Sequence, residues 1–135
     1  TDSGDSIPDA VLVPMVGQIA AGGPILAEQV VETVFPLPRE LVGDGDLFLL
    51  KVKGDSMIDV GINDGDIVVI RETRTADNGD IVVALVEGQE ATLKRFRRQN
   101  GMIALEAANP AYETRLLRDD QVKVQGRLVG LIRTY

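Results

Sequence analysis

Ser56 and Lys94 are the two residues on which covalent chemistry could rest in this chain. Serine occurs only at positions 3, 6 and 56. The first two lie in a polar, acidic opening stretch, which leaves Ser56 as the serine of the folded body. Its setting, Lys53-Gly54-Asp55-Ser56-Met57, follows an apolar run, and a glycine two positions ahead of it admits close approach of another backbone. The end of a strand is also where a rigid scaffold can present a hydroxyl. A serine hydroxyl attacks only when a base takes its proton. Histidine and cysteine are both absent. That excludes a Ser-His-Asp triad, a cysteine nucleophile, a disulfide scaffold and a thiolate or imidazole zinc site. Lysine can act as the base if desolvation lowers its pKa by several units from about 10.4.

The lysines are Lys51, Lys53, Lys94 and Lys123. Lys51 and Lys53 sit too close before Ser56 to reach back to it. Lys94 lies in Ala91-Thr92-Leu93-Lys94-Arg95-Phe96, where strand alternation sets Thr92, Lys94 and Phe96 on one face without a neighbouring carboxylate. Unreactive readings stand beside both residues. Asp55 or Ser56 could cap a short helix starting at Met57, and the tetrapeptide alone favours this, because short motifs recur by chance. Lys94 could equally run its stem along apolar surface and hold its ammonium in water.

The segments that would have to position this pair are short and β-rich, separated by Gly, Asp, Asn and Pro. Strands are expected over residues 11–19, 47–52, 67–71, 81–86, 91–97, 102–107 and 122–132. Pro14 marks the first as an edge or interrupted strand, and Pro38 opens one helical turn over 37–42. Turns are expected at 20–24, at Glu87-Gly88-Gln89 and at Asn109-Pro110. The fold class is all-β, a mostly antiparallel β-sandwich or small barrel with minimal helix.

With 135 residues, 44% apolar and 26% charged, the chain has the composition of one folded domain. A net charge of -7 opposes a phosphate backbone and argues against stand-alone DNA binding. No apolar run approaches the roughly 20 residues that span a bilayer, and no basic flank precedes an apolar stretch at the start. The chain reads as soluble and untargeted, and the absence of cysteine suits the cytoplasm. Asn63, Asp64 and Asp66 read as a turn, their spacing lacking the rest of a calcium ligand set. Arg95, Arg97 and Arg98 read as a solvated basic face.

Taken in order, Gly54-Asp55-Ser56-Met57, Asp64-Gly65-Asp66 and Ala91-Thr92-Leu93-Lys94-Arg95, with 38 positions from Ser56 to Lys94, resemble the self-cleaving domain of LexA-type repressors. Ala20-Ala21-Gly22-Gly23-Pro24 resembles that family's scissile segment, and Asn109-Pro110-Ala111-Tyr112 its late turn; the likeness runs from residue 13 to 135. UmuD-type mutagenesis proteins, phage repressors and signal peptidases share the serine-lysine chemistry. The resemblance implies that Ser56 is the nucleophile, that an uncharged Lys94 is the general base, and that the bond cut is Ala21-Gly22 of the same chain. It implies backbone N–H groups of Ser56 or Met57 at the oxyanion, no cofactor and no metal. Its partners would be the RecA filament on single-stranded DNA, which favours the docked state of the loop, and a second copy through the carboxy-terminal strands. Operator DNA would be bound only through an amino-terminal winged helix-turn-helix module. The chain opens on Thr rather than Met, so residues 1–10 are expected to be the remnant of a linker to that module, and 11–135 the autoproteolytic and dimerisation domain. Two other readings remain: a dimerisation module without chemistry, and a peptidase acting in trans.

Overall fold

The structure, a computed structural model, describes residues 10–20, 25–26 and 33–135. Most of the expected linker and residues 21–24 of the expected scissile segment, Ala21 and Gly22 included, lie outside the described residues. Along the chain run β1 (Ala10–Ala20), β2 (Ile25–Leu26), β3 (Thr33–Pro38), α1 (Arg39–Val42) and β4 (Leu47–Lys53). A 3₁₀ turn (Ile58–Val60) follows, then β5 (Ile67–Glu72), β6 (Ile81–Val86), β7 (Glu90–Gln99), β8 (Met102–Glu106) and β9 (Arg115–Arg118). A second 3₁₀ turn (Asp119–Gln121) leads into β10 (Val122–Ile132). The fold is all-β, and every expected strand is present to within a few residues.

The strands form one sheet in the order β3-β1-β4-β5-β10-β6-β7-β8-β9, with β2 added to β7. Pairing is antiparallel except where β1 runs alongside β4 and touches β7. The β6–β7 and β7–β8 hairpins each turn on two residues of positive φ, Glu87-Gly88 and Asn100-Gly101, the pairs that match the twist of the flanking strands. β1 runs unbroken through Pro14, which pairs with Val34 of β3, and it lies between β3 and β4 instead of at an edge; the missing N–H is tolerated because the β1–β4 ladder opens only at Met15↔Leu49, and its register slip falls after that, before Gln18. β3 and β9 were not expected. β3 carries Pro36 and Pro38, which an edge strand tolerates because its outer side needs no ladder donor, and β9 is a four-residue edge whose Arg-Leu-Leu-Arg gives no alternating pattern to read.

Curling of the sheet covers both of its faces. β5 sends Val68 and Ile70 to one apolar cluster and Val69 to another, while β6 sends Val83 one way and Val82, Ala84 and Val86 the other. Neighbouring residues on a strand point to opposite faces, so strands buried on both sides are apolar throughout. The curl also brings distant strand ends together. Ala20, at the end of β1, pairs with Lys53 at the end of β4 and with Thr92 in β7, so β4 and β7, four steps apart along the ladder, meet at the tip of β1.

Candidate active site

Ser56 leaves the end of β4 through Gly54, whose φ of 104° lies where a side chain would be strained. The Gly54 N–H donates to Asp64 Oδ1 at 2.8 Å, tying the turn that carries the serine to the 63–66 turn before β5. There Asp66 is almost wholly buried. Its two oxygens accept from Arg133 Nε at 2.8 Å and an Arg133 terminal nitrogen at 2.6 Å, and the Asn63 N–H adds a bond at 2.7 Å. The Arg133 bond in particular holds the Asp66 carboxyl below the usual carboxylate range. These aspartates are therefore committed to the turn, and among the described residues no group of three or more acidic side chains could hold a metal ion.

The capping alternative for Ser56 does not hold. The short 3₁₀ turn has Met57 as its N-cap and no side-chain capping bond. Met57 instead fills the apolar cluster shared by Val52, Ile70, Val83 and Leu93, and Ser56 beside it is completely out of solvent, at 0% exposure. The serine Oγ lies 3.1 Å from Lys94 Nζ. Thirty-eight positions of sequence separation thus close to a direct contact.

Lys94 sits in mid-β7 at 7% exposure, so its ammonium does not reach out into water. Its nitrogen meets three oxygens: Ser56 Oγ, Thr92 Oγ1 at 3.0 Å and the Leu93 carbonyl at 3.2 Å. Three acceptors would satisfy an ammonium, and the same set serves a neutral amine, with two N–H donors for Thr92 and Leu93 and a lone pair for the serine proton. Desolvation moves the balance toward the second state, which becomes the major form above about pH 8. Burial, aided by the positive charge of Arg115, brings the lysine down from 10.5 to about 8, within the range where a general base works near neutral pH.

Thr92 is the site residue whose role the sequence did not reveal. Alternation put it on the face of Lys94, which was the available signal, yet the hydroxyl's contact with Nζ depends on side-chain packing. Phe96, placed on the face of Lys94 by alternation, belongs to a different cluster, with Val82, Leu105 and Val124. Arg95 is half-buried, while Arg97 and Arg98 pair at the surface with Glu106 and Asp119. Backbone N–H groups of Ser56 and Met57 have no acceptor among the described residues, although both residues are fully buried. Buried donors left without partners are costly, and two of them beside a serine hydroxyl suit a developing oxyanion.

A family model described as Peptidase S24-like matches residues 14–129, a span that contains Ser56 and Lys94. The chain belongs to the Peptidase S24-like family. Serine peptidase chemistry is the activity class of that family, and this S24-like domain holds a buried serine against a buried lysine. The chain on both sides of the expected Ala21-Gly22 cut also runs to this place: Ala20 pairs with Thr92 and Ile25 with Ala91, two and three positions from Lys94.

Proposed function

We propose that this S24-like domain is the self-cleaving part of an SOS-response transcriptional repressor of the LexA type, and that it cuts its own Ala21-Gly22 bond. The contact of Ser56 Oγ with Lys94 Nζ at 3.1 Å in a water-poor site carries this reading, and the pairing of Ala20 and Ile25 with β7 supports cleavage within the same chain. In the proposed reaction Lys94 Nζ takes the Ser56 proton as Oγ bonds to the Ala21 carbonyl carbon. The N–H groups of Ser56 and Met57 bear the oxyanion charge. As the tetrahedral adduct collapses, the carbon–nitrogen bond to Gly22 breaks and the Lys94 ammonium returns its proton to the departing amine. Water then hydrolyses the Ala21 ester on Ser56, with Lys94 again accepting the proton. Tethering supplies the effective concentration that a modest nucleophile needs.

In this reading the RecA filament on single-stranded DNA speeds cleavage by favouring the docked loop, and cutting inactivates the repressor in the cytoplasm. DNA is bound through an amino-terminal module. Dimerisation uses the carboxy-terminal strand: residues 128–132 of β10 pair with β5 and not with β6, which leaves one backbone edge of that stretch open among the described residues.

Incubation of the purified chain from pH 6 to 10 tests the reading. Two fragments split between Ala21 and Gly22 are expected, at a first-order rate independent of protein concentration that climbs with pH and levels off above about 8. Ser56→Ala should produce none. A rate that rises with protein concentration, or that is flat from neutral to alkaline pH, would contradict it.

A further inference from the structure

A trans peptide is planar, with the C=O of one residue and the N–H of the next pointing in opposite directions. Whatever grips the Asp55 carbonyl therefore aims the Ser56 N–H, and whatever grips the Ser56 carbonyl aims the Met57 N–H. Both grips come from one turn. The Asp55 carbonyl accepts from Asn109 Nδ2 at 3.0 Å as well as from the Ile58 N–H at 3.2 Å, and the Ser56 carbonyl accepts from the Ala108 N–H at 2.7 Å. The turn itself is well braced. Asn109 Oδ1 accepts from the Ala111 N–H at 2.9 Å, the Asn109 carbonyl from the Tyr112 N–H at 3.0 Å, and the Ala108 carbonyl from the Asp59 N–H at 2.8 Å. The Tyr112 hydroxyl donates to Asp55 Oδ1 at 2.6 Å.

We infer that Asn109 is a positioning residue for self-cleavage, aiming the backbone donors that receive the oxyanion; this rests on the cleavage reading above. Its amide works at both ends. Oδ1 shapes the turn, Nδ2 reaches across to the nucleophile segment, and the two partners leave no freedom to exchange the ends, since the Ala111 N–H needs an acceptor and the Asp55 carbonyl a donor. Alanine lacks both functions. Serine retains an acceptor that can shape the turn, but lacks the reach of the amide to Asp55. The three hydrogen bonds of Lys94 go to Ser56, Thr92 and Leu93, none of them in the 108–112 turn, so changing Asn109 alters the donors and not the base.

The experiment measures unassisted cleavage of the full chain from pH 6 to 10 for the native protein, Asn109→Ser, Asn109→Ala and Tyr112→Phe. Deleting one oxyanion donor outright typically costs about 100- to 1,000-fold. Misaiming is milder, so Asn109→Ser and Asn109→Ala should lower the alkaline plateau roughly 10- to 100-fold with the pH midpoint unmoved. Tyr112→Phe, which frees only the Asp55 side chain, should stay within a few-fold of native at about the same midpoint. Asn109→Ser keeps the turn and carries the comparison if Asn109→Ala does not fold. An Asn109→Ser plateau within about twofold of native overturns the assignment. So does a loss accompanied by a raised midpoint, which would mean that the substitution acts by wetting Lys94. A native chain that never cuts itself refutes the cleavage reading instead, so the two failures are distinguishable.

Discussion

Replacing Lys94 by methionine measures how strongly the fold disfavours an ammonium at that position. The comparison is made in a Ser56→Ala background, so that neither protein can cut itself at high pH. In the folded chain the amine titrates at about 8, against an ordinary value of 10.5. Below pH 8 it is protonated in both states, and burying the ammonium costs folding stability. Between 8 and 10.5 the unfolded chain holds a proton that the folded chain has released, so the lysine protein gains stability as pH rises. Over that span the gain is about 3 kcal/mol, at about 1.4 kcal/mol for each pH unit. Methionine matches the length of the stem and has no proton to lose. Its lost bonds to Thr92 and the Leu93 carbonyl add an offset that is nearly the same at every pH, and all other titrating groups act alike in both proteins. The stability of the methionine variant relative to the lysine protein should therefore fall by about 3 kcal/mol from pH 7 to pH 10.5. Urea unfolding followed by circular dichroism across that range reads the difference directly. A difference constant to within about 0.5 kcal/mol would mean that Lys94 titrates alike folded and unfolded, and that its nitrogen is not dry.

Two further substitutions test the surroundings. Arg115→Gln removes the positive charge that helps to lower the Lys94 pKa, so the midpoint of the cleavage profile should move to higher pH; an unmoved or lower midpoint would contradict that coupling. Gly126→Ala places a Cβ against the Ile70 side chain and 2.6 Å from the Arg71 carbonyl oxygen. Because backbone cannot yield without spreading β10 from β5, a loss of about 1–3 kcal/mol is expected, and an unchanged urea midpoint would show that the strands part freely there.

Much of the scaffold is legible in the sequence because its determinants are local. Runs such as Ile81–Val86, rich in β-branched residues and closed by Glu87-Gly88, can scarcely form anything but a strand entering a tight turn. The same apolar uniformity conceals which face each residue covers, so that neither the curl nor the division of Val82 from Val83 between clusters could be read from it. β3 was hidden by its two prolines, which become acceptable once the strand lies at an edge. At the site, Ser56 and Lys94 were accessible because the sequence offers so few candidates. Thr92 shared a face with Lys94 by alternation, whereas the charge effect of Arg115 and the grip of Asn109 on Asp55 depend on strands and turns far apart in the chain.

By itself the sequence narrowed the available chemistry: without histidine or cysteine, a lone serine in the folded body is left with lysine as a candidate base, provided that the amine is uncharged. Whether the lysine is a base or a solvated cation was a question only the tertiary structure could decide. Proton affinity depends on how much water and which charges surround the nitrogen, and those surroundings exist only after the sheet has curled to bring the end of β4 against the middle of β7.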